Sequence, residues 1–164
     1  MGHVIDAIVG RTPIVEETVR KYGLAVVFEN EYAIIFLDPY HIDYWSDYLQ
    51  LNIESKSEKV NWDCDLVLFW AKELGLSKFA IINTDYFGGI GDQGACVYNG
   101  DVKIMADGSI NRALEELGVK YNGKTDPFDV LQLHKYRNTE DYYSETFNRA
   151  IGKENMIPGK PYGR

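Results

Sequence analysis

Gly89-Ile90-Gly91-Asp92-Gln93-Gly94 spells the glycine pattern that lets a backbone approach a phosphate. In a dinucleotide-binding turn this pattern opens a helix, whose N-terminal N–H groups hold the pyrophosphate. Here Ala95-Cys96-Val97-Tyr98 follows and reads as a strand, so that anion site is missing. A kinase glycine loop does sit between strands, but it works with a V-A-I-K lysine, an H-R-D loop and a D-F-G. This chain has none of the three. Asp92 inside the pattern would also repel phosphate. The stretch from Asn83 to Gln93 still gathers two carboxylates, two aromatic rings, a hydroxyl and two amides among glycines. Loops carried on rigid strands often hold ligands. Asp85, Tyr86, Gly89, Gly91, Asp92 and Gln93 are therefore the candidate ligand loop for a small molecule or nucleotide.

Nucleophilic catalysis would need Cys64 or Cys96 beside His3, His41 or His134, and no local signature pairs them. Both cysteines sit in apolar stretches and read as buried, reduced thiols rather than a disulfide or zinc framework. The histidines are scattered without metal spacing. Asp38-x-x-His41-x-Asp43 comes nearest to a ligand set, but Asp38 is already expected to cap a helix. The reading assigns no catalytic residue, no metal and no cofactor.

Charge gives a stronger signal. The formal net charge is -8, from 17 basic and 25 acidic residues. Proteins that bind nucleic acid do so largely by setting Lys and Arg against phosphates, so the balance argues against that partner. Residues 29–65 hold nine acidic residues (Glu29, Glu31, Asp38, Asp43, Asp47, Glu54, Glu58, Asp63, Asp65) against only Lys56 and Lys59. Nearly all of the excess lies there. The same segment carries Tyr40, Tyr44, Trp45 and Tyr48. Charge steers an encounter and aromatic side chains anchor it. Asp43, Tyr44, Asp47 and Tyr48 are thus the candidate grip on a basic protein partner.

The elements that must position these residues follow from cap and turn chemistry. Val4 to Val9 reads as a strand. Thr12-Pro13 reads as a hydroxyl cap and first-turn proline that open a helix, closed by Gly23. Leu24 to Phe28 and Tyr32 to Leu37 form a hairpin across Glu29-Asn30-Glu31. Asp38-Pro39 starts a helix to about Leu49, with Ile42, Trp45 and Leu49 inward and His41, Tyr44 and Tyr48 on the flank. Asn61 or Asp63 caps an apolar helix through Leu66, Val67 and Trp70 to Gly75. Phe79 to Phe87 is a strand, and Gly88 to Gly94 a loop. Asn99-Gly100 joins a second hairpin. Ser109 caps a helix to Gly118, Asp126-Pro127 opens another through about His134, and Thr139 caps a last one.

Hairpins outnumber strand-helix alternations. That predicts an α+β fold: an antiparallel or mixed sheet with about five or six helices against it, in one domain over residues 1–151, with a loose tail over 152–164. The first residues lack a basic segment followed by an apolar run, and no stretch approaches the ~20 apolar residues of a membrane span. The expectation is a cytoplasmic protein that engages neither membrane nor nucleic acid. In general character the chain resembles small acidic bacterial immunity proteins. That resemblance is one of type, carried by charge and aromatic content, and it implies an inhibitor of a basic protein such as a nuclease toxin. The alternative is a small-molecule enzyme or sensor built on the glycine segment.

Overall fold

The computed structural model describes residues 3–87, 90–120 and 123–136. Among the described residues, six strands form one fully antiparallel sheet. They are β1 (His3–Arg11), β2 (Ala25–Glu29), β3 (Tyr32–Phe36), β4 (Lys78–Phe87), β5 (Ile90–Asn99) and β6 (Val102–Gly108), in the spatial order β2-β3-β1-β4-β5-β6. The α+β class holds, and the sheet is antiparallel rather than mixed. β1 is central: Ala7 faces Phe36 of β3 on one side and Ile82 of β4 on the other. Two tight turns make the outer pairs. The second hairpin forms one residue later than expected: Asn99 pairs with Val102, and Gly100-Asp101 make the turn, with Gly100 in the left-handed conformation (φ 61°).

Alternate residues supply two buried faces. One carries Ile8, Ile35, Ile81 and Tyr98, the other Ala7, Phe36, Ile82 and Val97, and all are buried. A strand covered on both sides needs apolar residues at every position, which is why residues 33–37 form an unbroken apolar run. The first face is covered by α1 (Glu16–Tyr22), α2 (Pro39–Leu49), α3 (Asp65–Glu73) and the chain between α2 and α3. Tyr22 joins the three helices, edge-on to Trp45 at 5.0 Å and 6.2 Å from Trp70. The second face takes α4 (Ile110–Glu116), α5 (Pro127–Val130) and a short 3-10 turn, Leu133–Lys135. Tyr32 on that face donates its hydroxyl to the Leu117 carbonyl at 3.1 Å.

Three expected caps form. Asp38 accepts the His41 N–H at 3.0 Å, Ser109 that of Arg112 at 3.2 Å, and Asp126 that of Asp129 at 3.0 Å. Elsewhere the expectations need correction. Thr12 does not cap a helix, because its N–H and hydroxyl both donate to the Glu31 carbonyl; α1 starts at Glu16. Neither Asn61 nor Asp63 caps α3. Cys64 stands at that position without a side-chain bond, and Asp63 is drawn into the interior. His41 is not on a flank but fully buried, bonded through its Nε2 to the Tyr22 carbonyl at 2.6 Å. The segment expected to run helical to His134 is one α turn followed by the 3-10 turn. The helix expected from Thr139 and the tail lie outside the described residues.

Candidate functional site

Two surfaces collect the residues that the sequence singles out. The first is the outer side of α2. Its inward residues, His41, Ile42 and Trp45, are buried against α1 and α3. Asp43 and Asp47, one turn apart, lie on the opposite side with Tyr40, while Tyr44 and Tyr48 occupy the flank beside Trp45, with Tyr44 packed against the core. The helix carries no Lys or Arg. Tyr44 is half-buried and Tyr48 is 71% exposed, and both rings meet Trp45 edge-on, at 5.2 and 5.4 Å. The core tryptophan thus fixes two tyrosines whose outer edges stay available. Asp43 is half-exposed and Asp47 exposed.

The acid excess of residues 29–65 is narrower in three dimensions than along the chain. Glu29 is held by Lys135 at 3.0 Å and by Gln132 and Tyr136. Glu31 pairs with Arg11 at 3.1 Å and Asp65 with Lys56 at 2.6 Å. Asp38 is the α2 cap. Asp63, fully buried, takes hydrogen bonds from Tyr98 at 2.6 Å and from Ser57 and Lys103. Burial alone would raise the Asp63 carboxyl, but those bonds outweigh it and hold it below the ordinary carboxylate range. By exposure, Asp47, Glu54 and Glu58 face outward, as does Glu31 beside Arg11, and Asp43 is half-exposed.

The second surface lies where β1 begins and β4 turns into β5. The glycine segment is not a loop: residues 90–94 belong to β5, with Asp92 opposite Asp85, Gly91 opposite Tyr86 and Gln93 opposite Thr84. Glycine serves close approach here. A Cβ on Gly91 would sit 2.0 Å from the Asp85 carbonyl oxygen, and one on Gly94 would sit 2.1 Å from that of Lys59. Asn83 ties the same passing chain down, accepting the Asn61 N–H at 2.9 Å and donating to the Lys59 carbonyl at 3.1 Å. Gly89 lies outside the described residues. Phe87 and Ile90 face each other beside it, 84% and 83% exposed.

Pleating separates the candidate ligand residues. Asp85 and Asp92 point to the side of α1–α3, while Tyr86 and Gln93 point to the side of α4 and α5. There they line a polar pocket of about 200 Å³ with His3, Thr84, Asn111 and Asp126. Gln93 donates to the Tyr86 hydroxyl at 3.2 Å and accepts the Ile110 N–H at 3.0 Å. Sequence reading missed His3, Thr84, Asn111, Asp126 and Phe128 as members of one site. Period-two alternation, which puts Thr84 and Tyr86 on one side of a strand, was the available signal for part of it.

At the same end of the sheet, Asp6 is buried next to Asn61, whose amide donates at 3.1 Å. Burial pushes its carboxyl up to about 6, helped by the negative charges of Asp85 and Asp38. Burial lifts the Cys64 thiol to about 11 and that of Cys96 to about 12, so both stay protonated and weakly nucleophilic at neutral pH. No helix among the described residues is long and apolar enough to cross a membrane. Comparison with known proteins yields no matching family model, no matching curated protein and no matching solved structure.

Proposed function

We propose that this protein is a binding partner, of the inhibitor or immunity type, for a basic protein such as a nuclease toxin. The outer face of α2 makes the grip. The observation that supports this is the outer side of α2: Asp43 and Asp47 one turn apart, flanked by the rings of Tyr40, Tyr44 and Tyr48, with no Lys or Arg on the helix and His41, Ile42 and Trp45 buried. Carboxylates at that spacing take the place of substrate phosphates in a cationic cleft, and tyrosines supply rigid contact area at low entropic cost. A cytoplasmic site of action belongs to the same reading.

The test uses a panel of purified nucleases of high and low isoelectric point. At least one basic member should bind and be inhibited in stoichiometric proportion, with affinity falling as salt rises. The double charge reversal Asp43→Lys with Asp47→Lys should weaken that complex by about 100-fold while leaving the thermal midpoint unchanged. Retention indifferent to both salt and charge reversal, or no basic member bound at all, overturns the proposal.

A second reading, a small-ligand enzyme or sensor, draws on the braced pocket around Tyr86 and Gln93. Asp92 and Asp85 have no part in it, since they sit on the other face of the sheet.

A further inference from the structure

We infer that the pocket between the β4–β5 hairpin and helices α4 and α5 is a socket for a guanidinium group. This is independent of the α2 reading, because the pocket lies on the opposite face of the sheet.

Four observations carry it. First, the walls are fixed before any ligand arrives. Gln93 bonds both Tyr86 and the Ile110 N–H, Asn111 accepts the Phe128 N–H at 2.8 Å, and His3 Nδ1 meets the Thr84 hydroxyl at 2.7 Å. Five segments of chain are cross-tied around one small space, and such preorganisation lowers the cost of binding. Second, among the described residues the lining holds one carboxylate, Asp126, beside the His3 imidazole, and no Lys or Arg. The Asp126 Oδ1 accepts the Asp129 N–H as the α5 cap, which does not use Oδ2. An anionic ligand is therefore disfavoured and a cation favoured. Third, the wall is aromatic. The His3 ring packs against both Tyr86 and Phe128, with centroids 5.3 and 5.6 Å away. Flat cations stack on such rings, and guanidinium does so better than the compact, strongly hydrated ammonium. Fourth, a volume of about 200 Å³ suits an arginine head with part of its stem and is too small for a whole nucleotide.

Guanidinium can come from an arginine side chain of a partner protein or from a free metabolite. The probes are N-acetyl-arginine amide for the first source and free L-arginine for the second, with N-acetyl-lysine amide, N-acetyl-citrulline amide and cytosine as controls. The readout is the NMR shift of the Gln93 and Asn111 side-chain amides in the full chain. An arginine probe should saturate these shifts in the millimolar range, with the lysine probe about tenfold weaker and the neutral citrulline probe inert. Tighter binding of the acetylated amide points to a protein side chain, and tighter binding of free arginine to a metabolite. Asp126→Asn keeps a competent helix cap and should weaken binding about tenfold. Phe128→Leu removes a ring without touching charge and should weaken it as well. Silence with both arginine probes, equal binding of arginine and lysine, preference for cytosine, or indifference to Asp126→Asn overturns the inference. The Asp43→Lys, Asp47→Lys double variant should leave the shifts intact, so failure here is separate from failure at α2.

Discussion

Burial lifts the Asp6 carboxyl to about 6 and lowers the His41 imidazole to about 3. In the fold Asp6 favours its proton, so its contribution to stability is whole below the ordinary value of 3.8 and fades as pH rises through about 6. His41 is held neutral, so its contribution is whole above 6.5 and is lost as pH falls towards about 3. Between pH about 4 and 6 the two slopes oppose each other. Asp6→Asn removes one of them. The variant should be more stable than the parent at pH about 7.5, by at most about 3 kcal/mol, and its melting temperature should drop more steeply between pH about 6.5 and 4. Thermal unfolding across pH checks this; parallel curves would refute it. Asp63 has the other sign: its bonds are made by the carboxylate, so its contribution is present at neutral pH and lost under acid. Asp63→Asn leaves Lys103 facing a neutral amide in a closed site and should cost about 3 kcal/mol in denaturant unfolding at pH about 7.

The elements divide into those whose ends are written in the sequence and those whose environment is not. The hairpin near Asn99-Gly100 (to within one residue), Ser109 and Asp126-Pro127 were legible because a turn or cap is set by a few adjacent residues. Thr12-Pro13 carries the same local sign and failed, because its partner is the Glu31 carbonyl nineteen residues away. Asp63 failed likewise: a cap and a buried acid look alike until Lys103 and Tyr98 are brought alongside. The β4–β5 hairpin was hidden by its own glycines, which read as a loop but exist to let Asp85 and Lys59 carbonyls come close. The outer side of α2 was legible in part, since helical spacing shows in sequence. The pocket was not, since its walls come from five segments. Gly94→Ala should therefore cost about 2–3 kcal/mol, read from the denaturant midpoint, because the obstacle is backbone rather than a movable side chain. Phe87→Ser with Ile90→Ser, at the exposed tip, should change stability by less than about 0.5 kcal/mol by the same measurement.

At the scale of the molecule, one sheet holds two unlike surfaces apart: an acidic, aromatic helix face on one side, a small braced pocket on the other. The central place of β1 has a consequence for how the chain comes into being. This first strand needs two neighbours, and its register with β4 pairs His3 with Tyr86 and Gly10 with Phe79. During vectorial synthesis it can dock on β3 early, yet its other side stays open until residue 87 has cleared the ribosome. A fragment ending at residue 77 would hold that apolar rim permanently bare, and bare rims recruit one another. Such a fragment should sediment as aggregate in a soluble-fraction assay, where the full chain stays in the supernatant. The nascent protein thus passes through a sticky adolescence whose length is set by translation speed.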